Sequence, residues 1–121
     1  MTLVVSSFVR DPTTGEVVSL PWPAAGEELA GVEACRRALW GSRAGRELGL
    51  VLLPTLADDD LYVESGELDQ LEREVRLILD HLDELARATR YTDEYIEHRA
   101  TNILRAIGVA REHAHGGVAI F

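Results

Sequence analysis

Residues 68–88 read LDQLEREVRLILDHLDELARA, and this stretch decides the class of the fold. Leu68, Leu71, Val75, Ile78, Leu79, Leu82 and Leu85 recur every three or four positions, laying one apolar stripe along about five turns of helix. On the other side, Asp69 and Arg73, Glu72 and Arg76, and Asp83 and Arg87 stand four apart with the acid first, the order in which helical ion pairs help most. A helix with a single apolar face needs something to lay it on. Just downstream, Thr92 is placed to cap a further helix over 93–112, with Ile96, Ala100, Ile103, Ile107 and Ala110 on its apolar side. The two make a helical hairpin.

Working outward, the N-terminal residues 2–9 (TLVVSSFV) and 16–20 (EVVSL) are β-branched and aromatic, and Pro12 and Gly15 between them suit a turn, so a β-hairpin is expected. Pro21 and Pro23 then remove backbone donors and stop the strand. Over 27–40, Leu29, Val32, Cys35, Leu39 and Trp40 predict a first helix, with acids early and Arg36 and Arg37 late. LVLLP at 50–54 reads as a short buried strand, and VAIF at 118–121, after Gly116 and Gly117, as a closing one. The order is β-β-α-β-α-α-β. It implies a single α+β domain over 1–121, a small sheet of N-terminal hairpin, central strand and C-terminal strand covered by helices.

Charge narrows the function. Twelve Arg and no Lys face twenty-one acids, a net charge of −9. Residues 58–97 hold fourteen of the acids and four Arg, a balance of −10, and the rest of the chain is close to neutral. Such a segment repels phosphate backbones and anionic headgroups and attracts basic partners, so neither a nucleic acid nor a membrane is an expected partner. The longest apolar run, residues 50–53, is far shorter than a membrane span needs, and no secretory signal is visible in MTLVVSSFVRD. Cys35 is the only cysteine and falls on an apolar side, which reads as packing in a reducing, cytoplasmic setting.

The motifs that would carry chemistry are incomplete. Gly41-Ser42-Arg43-Ala44-Gly45-Arg46 follows a predicted helix, precedes a predicted strand and holds no Lys, so it is a connector rather than a phosphate cradle. Asp58-Asp59-Asp60 lacks the alternation and central Gly of a calcium loop. His81 with Glu84, Glu94 with His98, and His113 with His115 do not reproduce the Glu-x-x-His spacing of a di-metal bundle, nor converge as a zinc site. No catalytic residue, metal or cofactor is expected.

Tyr91, Tyr95 and Asn102, with Arg99 beside them, share a semi-apolar face of the last helix. That face reads either as a polar network closing the core or as a contact for a ligand or a second copy of the chain in a homodimer.

LPTLADDDLYVESGELDQLEREVRLILDHL together with RATNILRAIGVAREHAHGGVAIF, within residues 50–121, resembles small bacterial immunity-type proteins associated with polymorphic toxin systems. The likeness lies in an acidic loop before a long amphipathic helix, an R-x-x-N-I-L-x-A-I helix and a closing Gly-Gly-strand. It implies a non-enzymatic partner-masking role. The expected function is therefore an immunity protein or antitoxin that masks a basic toxin through Asp58, Asp59, Asp60, Glu64, Glu67, Asp80, Glu84, Glu94 and Glu97. The alternative is a small-molecule-binding or enzymatic domain, with its site between sheet and helical hairpin near Tyr95, Arg99 and Asn102.

Overall fold

A computed structural model describes residues 2–22 and 28–121; Pro23 and Glu27, which the sequence reading placed at a strand stop and a helix start, lie outside the described residues. The expected hairpin forms. β1 (Thr2–Arg10) and β2 (Val17–Ser19) pair antiparallel with Val9 opposite Val18. Asp11 builds the turn, its Oδ1 accepting from the backbone N–H groups of Thr13 at 2.8 Å and Thr14 at 3.1 Å. β3 (Leu29–Val32) pairs with the start of β1, β5 (Gly116–Ile120) runs antiparallel along the other edge of β1, and β4 (Leu61–Glu64) flanks β5. The sheet order is β2-β1-β5-β4, with β3 also on β1.

Helices α1 (Arg43–Glu47), α2 (Leu68–Asp80), α3 (Leu82–Thr89) and α4 (Asp93–Arg111) complete an α+β fold. α4 packs on β1, β3 and β5, and α2 and α3 pack on α4. The core joins Leu3, Val5, Val63, Val118 and Ile120 from the sheet to Ile96, Ile103 and Ile107 of α4 and Leu71, Val75 and Ile78 of α2. Residues of alternate parity on the strands point to the opposite face; Phe8 and Ala119 are buried there, outside that core.

The expected helix over 93–112 forms as α4, ending at Arg111, and Gly116 and Gly117 open β5. They are there for clearance. A Cβ on Gly116 would stand 1.9 Å from the Ala110 carbonyl oxygen, and one on Gly117 2.4 Å from the Phe8 ring.

Three stretches are built differently from the sequence expectation, within the same class. At 27–40, Leu29–Val32 is a strand, and only Arg36–Trp40 is helical, as one wide turn closed by Gly41 N–H donating to the Arg36 carbonyl at 2.8 Å. Gly31 at φ +108° is incompatible with a continuous helix, and β1 offers an edge to pair with. At 50–54, the chain forms no strand; Leu53–Ala57 is a tight turn of helix, with Pro54 in its first turn. The fully buried Glu74 of α2 starts that turn, its carboxyl accepting from Leu52 N–H at 2.9 Å, Leu53 N–H at 3.0 Å and Gln70 Nε2 at 2.8 Å. The strand of this region is instead β4, where Leu61 and Val63 are buried and Tyr62 and Glu64 exposed.

Finally, the stripe over 68–88 is two helices rather than one. His81 leaves the helical region at φ −129°, and its Nδ1 lies 2.8 Å from the Leu77 carbonyl oxygen. The break lets α3 turn its Leu85 into the core against α4.

Candidate protein-binding surface

The acids singled out by the sequence separate into two sets. The first is engaged at home. Arg36 donates to Asp60 Oδ1 and Glu33 Oε1, both at 2.5 Å, and to the carbonyls of Asp59 at 2.8 Å and Leu56 at 3.2 Å. Asp60 and then Glu33 hold the Arg36 guanidinium above its ordinary pKa against the opposing cost of burial. Arg37 reaches Asp58 at 3.5 Å, the Asp59 carboxylate accepts from Asp60 N–H at 2.7 Å, and Glu64 pairs with Arg10 across the sheet. The acidic loop is therefore tied to the Arg-rich turn of its own chain.

The second set is exposed and has no ion pair to a described residue: Glu67, Asp80, Glu84, Glu94 and Glu97. Glu84 and Glu94 stand in the first turns of α3 and α4, and Glu67 directly precedes α2, where the helix dipole favours a negative charge. Thr92 caps α4 as expected, its Oγ1 accepting from Tyr95 N–H at 3.1 Å. The break at His81 brings Asp80, Asp83 and Glu84 around an open recess of about 310 Å³, with His81 and Arg87 also on its rim. Reading 68–88 as one helix hid this arrangement, because it assigned Asp83 to an ion pair with Arg87.

Of the three pairs expected along this stretch, only Glu72–Arg76 forms, at 2.9 Å. Arg73 turns to Gln70, and Arg111 of α4 takes both Asp69 and Glu72, strapping α4 to α2. The two arginines, Arg111 first, hold the Glu72 carboxyl below the usual carboxylate range.

The face formed by Tyr91, Tyr95, Arg99 and Asn102 is largely turned inward. Asn102 is fully buried, and its Nδ2 donates to the Leu29 carbonyl at 2.8 Å. Tyr95 Oη accepts from Val32 N–H at 3.2 Å and lies 3.6 Å from Cys35 Sγ. Tyr91 stacks on Tyr95 with ring centroids 5.2 Å apart, and the Arg99 guanidinium lies 5.0 Å from the Tyr95 centroid. Interaction with the Cys35 sulfur, then burial, push the Tyr91 hydroxyl up to about 12; burial and then Cys35 raise that of Tyr95. Phenols held protonated this firmly donate hydrogen bonds and do not act as bases near neutrality. The group closes the seam between α4 and β3, the role of a core-capping network. Trp40 adds to it, its Nε1 donating to the Ala30 carbonyl at 2.9 Å.

Among the described residues, no three His, Cys, Asp or Glu side chains gather closely enough to hold a metal ion. No helix among them is long and apolar enough to cross a membrane. Comparison with protein-family models, with curated proteins and with solved structures finds no match to this chain.

Proposed function

We propose that the chain is a non-enzymatic cytoplasmic binding protein of the immunity or antitoxin kind, whose acidic helical surface masks a basic protein partner such as a toxin. One observation carries the reading. Asp58 and Asp60 of the acidic loop are paired with Arg37 and Arg36, while Glu67, Asp80, Glu84, Glu94 and Glu97 make no ion pair to a described residue, and Asp80 and Glu84 share an open recess with Asp83. The three carboxylates of this recess outnumber the one arginine on its rim, Arg87, and so suit a lysine or arginine of a partner, and charge so placed raises the association rate.

The centre of the proposed surface thus moves from Asp58–Asp60 to the junction of α2 and α3. The test is affinity capture from native lysate at low salt with three baits: the unaltered chain, Asp80→Asn/Asp83→Asn/Glu84→Gln, and Asp58→Asn/Asp60→Asn. A basic protein retained by the first and third baits and lost by the second supports the reading. Equal retention by all three, or a partner whose on-rate ignores ionic strength, overturns it.

A further inference from the structure

Three strands, β2, β3 and β4, lie at the edges of the sheet, and their free backbone groups are treated differently. Val4 and Phe121 exchange backbone hydrogen bonds at 2.7 and 2.9 Å, and in an antiparallel pair such bonds fall on every second residue. β5 therefore turns the backbone groups of Gly117, Ala119 and Phe121 to β1 and those of Val118 and Ile120 to β4. Leu61 and Val63 stand opposite Ile120 and Val118, so the N–H and C=O groups of Tyr62 and Glu64 point away from the sheet. Among the described residues, no backbone bond between elements reaches them.

The other two edges are engaged or blunted. β3 turns its Val32 N–H to the Tyr95 hydroxyl and its Leu29 carbonyl to Asn102. β2 is three residues long, and the next position of its outward parity after Val17 and Ser19 is Pro21, which has no N–H to offer. Residues 58–67 contain no proline, so β4 keeps an open pairing edge.

Charge identifies the occupant. Residues 58–67 hold five acids and no cation. Arg37, Arg36 and Arg10 reach Asp58, Asp60 and Glu64, which leaves Asp59 and Glu67, one on either side of the strand and both exposed, with no ion pair to a described residue. A second copy fits poorly. An antiparallel pair of two β4 strands with Tyr62 opposite Glu64 brings Asp59 of one toward Glu67 of the other, like against like. An extended segment carrying Lys or Arg meets the same two acids with opposite charge.

We propose that the outer edge of β4 docks an extended basic segment of a protein partner, which joins the sheet as a further strand. Its residues opposite Tyr62 and Glu64 stand on the exposed face of the sheet, where a cation lies within reach of the Tyr62 ring. The alternate residues stand beside the buried Leu61 and Val63 and are apolar. The inference shares with the proposed function only a basic partner and uses no residue of the α2–α3 recess, so each can fail alone.

The probe is a capped eight-residue peptide alternating arginine with valine and threonine, titrated into the full chain at two ionic strengths and followed by amide hydrogen exchange. Saturable binding that weakens with salt is expected, with the Tyr62 and Glu64 amides exchanging at least tenfold more slowly in the complex. Tyr62→Pro removes one outward N–H and leaves the ladder to β5 whole. It is expected to weaken binding at least fivefold, as is Asp59→Asn/Glu67→Gln. Asp80→Asn/Asp83→Asn/Glu84→Gln is expected to leave binding unchanged. The same peptide N-methylated at alternate residues, and its glutamate counterpart, are expected not to bind.

Circular dichroism and the melting temperature report whether each variant folds; should Tyr62→Pro not fold, the N-methylated peptide and the exchange data carry the test. No saturable binding, protection elsewhere than at Tyr62 and Glu64, or equal binding of the N-methylated or glutamate peptide overturns the proposal. Loss with the triple variant but not with Asp59→Asn/Glu67→Gln also overturns it, and places the peptide in the recess, where the proposed function stands. A chain that self-associates with the same two amides protected overturns it too, since a second copy is then the occupant.

Discussion

Glu74 shows how much a single side chain can decide. It is fully buried, makes no ion pair to a described residue, and uses its carboxyl to hold the Leu52 and Leu53 amides at the start of the Leu53–Ala57 turn. Removing it leaves two buried donors unsatisfied, so Glu74→Ala is expected to cost about 2–4 kcal/mol in urea denaturation, and Glu74→Gln clearly less, since one amide oxygen still accepts. Equal losses for the two variants would mean that packing, not the carboxyl, holds the turn.

Tyr91 makes a second residue-scale prediction. In the unfolded chain its phenol ionises near 10, and in the folded chain it keeps its proton to about 12. Between those values the folded state holds a proton the unfolded state has lost, so stability must fall as pH rises through that window. Titration by tyrosinate absorbance alongside alkaline unfolding is expected to show part of the tyrosine signal appearing only with the loss of structure. Cys35→Ala should shift that part to lower pH.

At the scale of elements, the strap from Arg111 to Asp69 and Glu72 ties α4 to α2. Because Glu72 is held below its unfolded value of 4.5, its contribution is complete above that value and is lost as pH falls through the depressed one. Arg111→Ala is therefore expected to lower stability near neutral pH and to flatten its acid dependence below about pH 4.5, measured as denaturation midpoints against pH. An unchanged acid slope would show that the strap is solvated away.

The elements also show where sequence reading succeeds and fails. α4 and the β1–β2 hairpin were legible because cap, periodicity and turn residues agree within each segment. β3 was not, since Leu29, Val32, Cys35 and Leu39 fit helical spacing and only Gly31 speaks against it; what makes a strand there is the edge of β1, distant in sequence. LVLLP has a strand's composition, but Glu74 supplies its amides with a partner. At His81 no proline or glycine marks the break, so the acid-rimmed recess that depends on it could not be read from residues 68–88. The acid residues were visible; which of them are neutralised depended on where Arg36, Arg37 and Arg111 reach.

At the scale of the whole molecule, Glu67, Asp80, Glu84, Glu94 and Glu97, which make no ion pair to a described residue, gather on the helical layer, while Arg10 and Glu64 on the sheet are paired with each other. Like charges crowded onto α2, α3 and α4 work against the folded state, and mobile ions relieve them. Raising sodium chloride from low to moderate concentration is expected to stabilise the fold by about 0.5–1 kcal/mol, or roughly 2–6 °C in melting temperature. A fall in melting temperature would mean that the ion pairs of Arg36 and Arg111 outweigh the repulsion.

The central position of β5 has a consequence for how the chain is made. β1 meets β5, more than a hundred residues later, and β4 joins the sheet only through that same strand. During synthesis β1 can pair at once with β2 and β3, but β4 emerges from the ribosome with no strand beside it and stays unlinked to β1 until residues 116–120 follow. Closure of the sheet is thus postponed until β5 is made, and ribosome-bound chains halted before Gly116 should be cut by protease within β4 while the β1–β2 hairpin is cut more slowly.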